Sequence, residues 1–234
     1  VIDYIEIIKT TISTISISLS ASLVVMFVAI LMIIVTAYKA NLLVRILTFL
    51  ASCGYAFPGT ILAVGVVVFV GWLNELIYFH ISYYAGGFIV LLFAYVLRFL
   101  AVGSGSIRSG VLRIDPNLVD ASRTMGVSFF SVIMRIIFPL LYTNILVGGI
   151  LVFVDILKEL PMTLLLRPFN FETLATYVYQ FASDEMLEES SLAAIIIVLT
   201  GLGPIVFLNS AIKKVAKRKQ SYTSGELLAS EVHS

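Results

Sequence analysis

The chain has 234 residues, a formal net charge of +1, 60% hydrophobic residues and only 12% charged ones, with a mean hydropathy of +1.06. Soluble domains carry roughly 25% charged residues, so this chain has too little polar surface to cover a water-soluble globule, and lipid must be part of its solvent. The length fits one membrane domain over 1–234 with no room for a second, catalytic one, and the lone Cys53 excludes an intrachain disulfide or a thiolate metal cluster.

A membrane-crossing helix needs about 20 largely apolar residues. Five stretches qualify, at about Ile15 to Tyr38, Ala56 to Ile77, Gly87 to Val102, Phe138 to Leu157 and Leu192 to Ile212. The expected fold is therefore all-α, a polytopic transmembrane helical domain. Pro58, Pro139 and Pro204 stand near span starts or inside spans, where a freed carbonyl must find a new partner. Small residues such as Gly54, Gly59, Gly148 and Gly201 permit close helix–helix approach.

The basic residues alternate between the two sides. Lys39 and Arg45 follow span one; Arg98, Arg108, Arg113, Arg123 and Arg135 lie at the end of span three and before span four. Lys213, Lys214, Lys217, Arg218 and Lys219 follow span five, and the other segments hold only Lys9, Lys158 and Arg167. This asymmetry places the basic loops and the tail at 213–234 in the cytoplasm and the N-terminus outside. Glu159, Glu172, Asp184, Glu185, Glu188 and Glu189 then fall on the outer side. An external N-terminus is natural if an earlier span precedes Val1 in a longer polypeptide.

The segment at about 108–136 carries the most pattern. Asp115 and Pro116 read as a helix start, an oxygen-bearing cap followed by proline at the first helical position. Leu118, Ala121, Ser122, Met125 and Phe129 share one helical face. Gly126 breaks the run, and Ser128 caps a second helix that leads through Ile136 and Pro139 into span four. A short helix, a glycine bend and a second helix make a rigid protrusion on the cytoplasmic side. An interfacial helix lying on the lipid headgroups is the alternative.

Asp120-Ala121-Ser122, then Gly126, then Ile136, Phe138 and Pro139 resemble the loop of binding-protein-dependent ABC importer permeases. That loop reads Glu-Ala-Ala, three residues, Gly, nine residues, Ile, any, Leu, Pro. Every spacing is kept; Asp replaces Glu, Ser replaces the second Ala, and Phe replaces Leu. Tyr55-Ala56-Phe57-Pro58-Gly59 and the run from Val154 to Ala175 resemble the iron(III) branch of the family, whose members are often duplicated. The resemblance implies the type I (MetI-like) importer permease fold in the inner (plasma) membrane. It implies that Asp120, Ala121, Ser122, Met125 and Gly126 contact a cytoplasmic ATP-binding subunit, with Asp115, Pro116, Ile136 and Pro139 shaping the loop. It also implies a second permease domain, an external solute-binding protein, and ferric iron as cargo, with this chain as the second half of a duplicated permease. Phosphate, sulfate, molybdate, thiamine and polyamines travel on the same architecture in related permeases.

Asp155, Lys158 and Glu159 stand at i, i+3 and i+4 near the outer end of span four. They read either as lining a translocation mouth or as a self-neutralising helix anchor, and they do not amount to a metal site. Arg98 reads as snorkelling to the cytoplasmic interface. No phosphate-binding Gly-x-x-x-x-Gly-Lys-Ser/Thr loop, His-Glu-x-x-His or Gly-x-Ser-x-Gly occurs. No cofactor is expected on this chain itself, ATP-Mg belonging to the partner subunit, and neither enzymatic activity nor nucleic-acid binding is expected. An intramembrane enzyme or a channel would need mid-span catalytic groups or a filter ring, and Asp155 alone comes near the former.

Overall fold

The computed structural model describes residues 4–38, 41–77, 83–115, 117, 122, 124, 126–206 and 209–210. Among the described residues the secondary structure is helical throughout. Helix α1 spans Tyr4–Tyr38, α2 Leu42–Ser52, α3 Gly59–Ile77 and α4 Tyr83–Val111. A short α5, Phe129–Val132, runs through a π-helical stretch, Ile133–Ile137, into α6, Phe138–Leu157. Two short helices follow, α7 at Pro161–Leu166 and α8 at Leu174–Ser183, and α9 runs through Leu187–Val206. Among the described residues five helices are long and apolar enough to cross a membrane: α1, α3, α4, the α5–α6 continuum and α9.

The core is the seam where α1, α4 and α6 meet. Ala21, Val25, Met26 and Ala29 of α1 pack against Leu91, Ala94 and Phe99 of α4 and Val152 and Ile156 of α6. Small residues set the spacing. A Cβ on Gly148 would come within 2.9 Å of the Ser106 Cβ and 3.0 Å of the Met26 Cε. The α4–α6 seam is also hydrogen-bonded: Ser106 Oγ donates to the Asn144 carbonyl at 2.7 Å, and Asn144 Nδ2 donates to the Ser106 carbonyl at 3.1 Å. Reciprocal bonds of this kind satisfy polar groups that lipid cannot.

Several boundaries differ from those expected. Helix α1 begins at Tyr4 rather than Ile15. Its polar first turns stay helical because hydroxyls bond back along the helix, as Thr11 Oγ1 does to the Ile7 carbonyl and Thr14 Oγ1 to the Thr10 carbonyl, both at 2.7 Å. Helix α4 runs to Val111, nine residues past the expected end. The run Gly103-Ser104-Gly105-Ser106 resembles a loop in composition but forms the close contact with α1 and α6. Helix α2 is separate from α3 and was not expected; Asn41 caps it, accepting from the Val44 N–H at 2.9 Å. The chain between spans four and five, expected as an outer loop, folds into α7 and α8. Residues 211–234, which include the basic tail, lie outside the described residues.

The Pro139 geometry follows from its chemistry. Proline removes one helical donor and crowds the carbonyl four residues back. Immediately before it the helix widens to i→i−5 bonding, with the Phe138 N–H donating to the Ile133 carbonyl. The helix therefore continues through Pro139.

Candidate functional site

Two regions hold candidate functional side chains, one at the end of α4 and the start of α5, the other at the middle of α4.

In the first region, Asp115 Oδ1 accepts from the Asn117 N–H at 2.9 Å, the local bond expected of a helix-starting aspartate. Pro116, Asp120, Ala121 and Met125 lie outside the described residues. Ser122 is buried, with 4% exposure, and its carbonyl accepts from the Val127 N–H at 3.2 Å. That bond closes the turn around Gly126, which stands at φ +76°. This left-handed conformation suits glycine because an L side chain would crowd the backbone. The space beside Gly126 is open, with nothing within 4 Å of a built Cβ. Ser128 Oγ then accepts from the Ser131 N–H at 3.4 Å, capping α5 as expected. From there Ile136, half-buried, and Pro139 lead continuously into α6. The turn is thus mounted on a helix that penetrates the bundle core.

The second region is built on Arg98. It stands near the midpoint of α4, roughly 20 Å from either end at ~1.5 Å per residue. Its guanidinium does not snorkel to the interface as its sequence position suggests but turns inward, with Nε 3.6 Å from Glu159 Oε2. The side chains are only 19% and 7% exposed. At that separation the contact is electrostatic, longer than a hydrogen bond, and among the described residues the buried Nε has no hydrogen-bond partner. The guanidinium carbon also lies 5.8 Å from the centre of the Phe99 ring.

Glu159 reaches Arg98 because α6 stops at Leu157. This overturns the shared face expected for Asp155, Lys158 and Glu159. Lys158 turns outward, 64% exposed, and pairs with Asp155 at 3.0 Å, while Glu159, 7% exposed, turns inward to Arg98. The local Asp155–Lys158 pair has the geometry of a helix-end anchor. The chain then re-enters the bundle as α7, packed between α3 and α4. Glu159 Oε1 accepts from the Met162 N–H at 3.3 Å, supporting the first turn of α7. Thr163 Oγ1 donates to the Glu159 carbonyl at 2.7 Å. Its single proton is thereby used, so the buried Tyr95 hydroxyl is the donor in the 2.6 Å Tyr95–Thr163 bond.

Helix α3 completes the site through Gly59. A Cβ there would lie 2.4 Å from Arg98 Nη1 and 2.9 Å from Glu159 Oε1. The start of α3 is pressed directly onto the ion pair, so a side chain at position 59 would have to displace the ends of Arg98 and Glu159. In the sequence Gly59 has the look of a packing glycine, and the signal for this site is a lone arginine, Arg98, inside an apolar span. Farther out, Arg167 pairs with Glu172, and the Arg167 guanidinium donates to the Phe171 carbonyl at 3.3 Å. No group of three or more metal-ligating side chains occurs among the described residues.

An all-helical bundle with five apolar spans, a capped turn beyond its core and a charge pair within it has the form of a membrane permease. Residues 29–220 match the model of the family described as "Binding-protein-dependent transport system inner membrane component". The chain belongs to this family, the permease subunits of ABC importers. It is similar to the Fe(3+)-transport system permease protein FbpB 2 of Haemophilus influenzae (strain ATCC 51907 / DSM 11121 / KW20 / Rd), 25% identical over 155 residues. The match covers 66% of this chain and 29% of that relative, so the chain spans less than a third of the relative's length. Among solved structures it superposes on a chain of a bacterial alginate ABC transporter in complex with alginate pentasaccharide-bound periplasmic protein. The TM-score is 0.70 at 16% identity, over 90% of this chain and 79% of that one. It also superposes on a chain of the inward-facing MetNI methionine ABC transporter, with a TM-score of 0.61 at 13% identity, over 87% of this chain and 95% of that one. These likenesses establish the type I importer permease fold.

Proposed function

We propose that this chain is the transmembrane subunit of an ATP-driven importer, docking a separate ATPase subunit on the turn around Gly126 and moving ferric iron delivered by an external binding protein. The observation that carries the reading is that turn. It has a cap at Asp115, a left-handed Gly126 with open space beside it and a cap at Ser128. It continues without a break into α6, which lies in the bundle core. A push on the turn is therefore delivered to the core as rigid-body motion. Asp120, Ala121, Ser122 and Met125 complete the ATPase contact in this reading, and the basic loops face the cytoplasm. A second permease domain packs beside this one, and the pathway runs between them. ATP-Mg is bound by the ATPase, and this chain supplies no catalytic group.

Ferric iron is favoured over phosphate, sulfate, molybdate, thiamine or polyamine by the similarity to a relative named as an Fe(3+)-transport permease. The test is uptake of radiolabelled Fe(III) in cells with and without the gene, alongside Gly126→Arg. Loss of iron uptake on deletion, together with failure of Gly126→Arg to retain the ATPase subunit, is the expected pair of results. Unchanged iron uptake with loss of another solute's uptake would overturn the cargo. Intact uptake in Gly126→Arg would overturn the docking assignment.

A further inference from the structure

A cleft of about 550 Å³ opens where the ends of α1 and α4 meet α2, lined by Thr36, Arg45, Thr48, Phe49, Arg108 and Leu112 among others. The volume is within the ~300–1,000 Å³ of small-ligand sites. Its charge is one-sided: among the described residues two guanidiniums border it and no carboxylate does. Among the described residues neither Arg45 nor Arg108 has an ion pair. The hydroxyls of Thr36 and Thr48 offer little to a ligand, because they lie 2.8 Å apart and their two protons are taken up among each other and the Met32 and Val44 carbonyls. The ten N–H donors of the two arginines are what remains, and they suit an anion with several acceptor oxygens.

The apolar surroundings select the form of that anion. Helix α2 has no buried residues and exposes Leu42, Leu43, Ile46, Leu47 and Leu50, the composition of a helix lying in a membrane interface. The cleft opens at the end of the apolar spans, on the side bearing the basic loops. We infer that it is a binding site for the phosphodiester headgroup of an anionic phospholipid, held by Arg45 and Arg108 with its acyl chains beside α2. The inference rests on the membrane assignment and is independent of cargo.

The test is native mass spectrometry of the full chain in its assembled complex, extracted from membranes and titrated with phosphatidylglycerol or phosphatidylcholine. Wild type is expected to retain phosphatidylglycerol preferentially. Each of Arg45→Gln and Arg108→Gln is expected to weaken that retention about fivefold, and the double variant about 25-fold, the scale of one basic residue at an anionic surface. The Arg45→Lys/Arg108→Lys variant, which keeps the charge, should retain much of the preference and controls for folding. Equal retention of both lipids, or no change in R45Q/R108Q, overturns the site. Displacement of the lipid by millimolar inorganic phosphate would identify a free-anion site instead. Loss of the ATPase subunit from R45Q/R108Q, with phosphatidylglycerol retention intact, would make the cleft a protein interface.

Discussion

The Gly126 turn and the Arg98–Glu159 pair solve opposite problems. The turn is closed by bonds between residues no more than five apart, with Gly126 exposed at its bend and Ser122 buried beneath it. The pair joins residues 61 positions apart, is almost wholly out of water, and exists only because α3, α4 and α7 converge on it. In the docking role proposed for it, local geometry lets the turn keep its shape through motion of the bundle behind it. A charge pair in an apolar interior depends on its surroundings, because either charge alone would be severely destabilising there. The turn is suited to transmit motion, and the pair to fix how α3, α4 and the re-entrant α7 sit together.

The largest expected effect comes from unpairing the charges. Arg98→Met or Glu159→Met alone should destabilise the protein by about 3–5 kcal/mol, read as a lower unfolding temperature in detergent. The double variant R98M/E159M should regain most of the loss. If both single variants unfold like wild type, the pair does not hold α7 in place. If the double variant regains stability but not uptake, the charges serve transport as well as folding.

Next in size is Gly59→Ala, whose Cβ would press on Arg98 Nη1. Overpacking of this kind costs about 1–3 kcal/mol. The substitution should be much less harmful in R98M/E159M, and additive effects would separate α3 from the pair. Gly126→Val tests the opposite region. The φ of +76° should make it about 1–2 kcal/mol unfavourable locally, leaving the unfolding temperature of the bundle nearly unchanged while ATPase-subunit retention falls. Gly126→Asn, which tolerates this conformation better, should retain more of the subunit; equal loss in both variants would point to side-chain bulk instead. The smallest effect is at the Tyr95–Thr163 bond. Tyr95→Phe is expected to cost about 1 kcal/mol, and a double-mutant cycle with Thr163→Val should show coupling.

The legibility of the two regions follows the same division. The caps at Asp115 and Ser128 and the bend at Gly126 could be read from the residues because their causes lie within a few positions. Helix α2 was missed because its 11 residues are apolar but too few to cross a membrane, so a search for spans passes over them. The end of α4 was missed because Gly103 to Ser106 are poor helix formers whose helical state is stabilised by packing against α1 and α6. The expected face of Asp155, Lys158 and Glu159 assumed two more helical residues than α6 possesses; past Leu157 the chain departs to bury Glu159 against Arg98.

The sequence by itself determined the lipid solvent, the five spans and the shape of the Gly126 turn, because hydropathy, charge asymmetry and backbone preference act locally. Only the tertiary structure decided that Arg98 meets Glu159, that Gly59 lies against that pair and that Arg45 and Arg108 share a cleft. Those facts depend on which helix faces come together, and an isolated span carries no record of its neighbour.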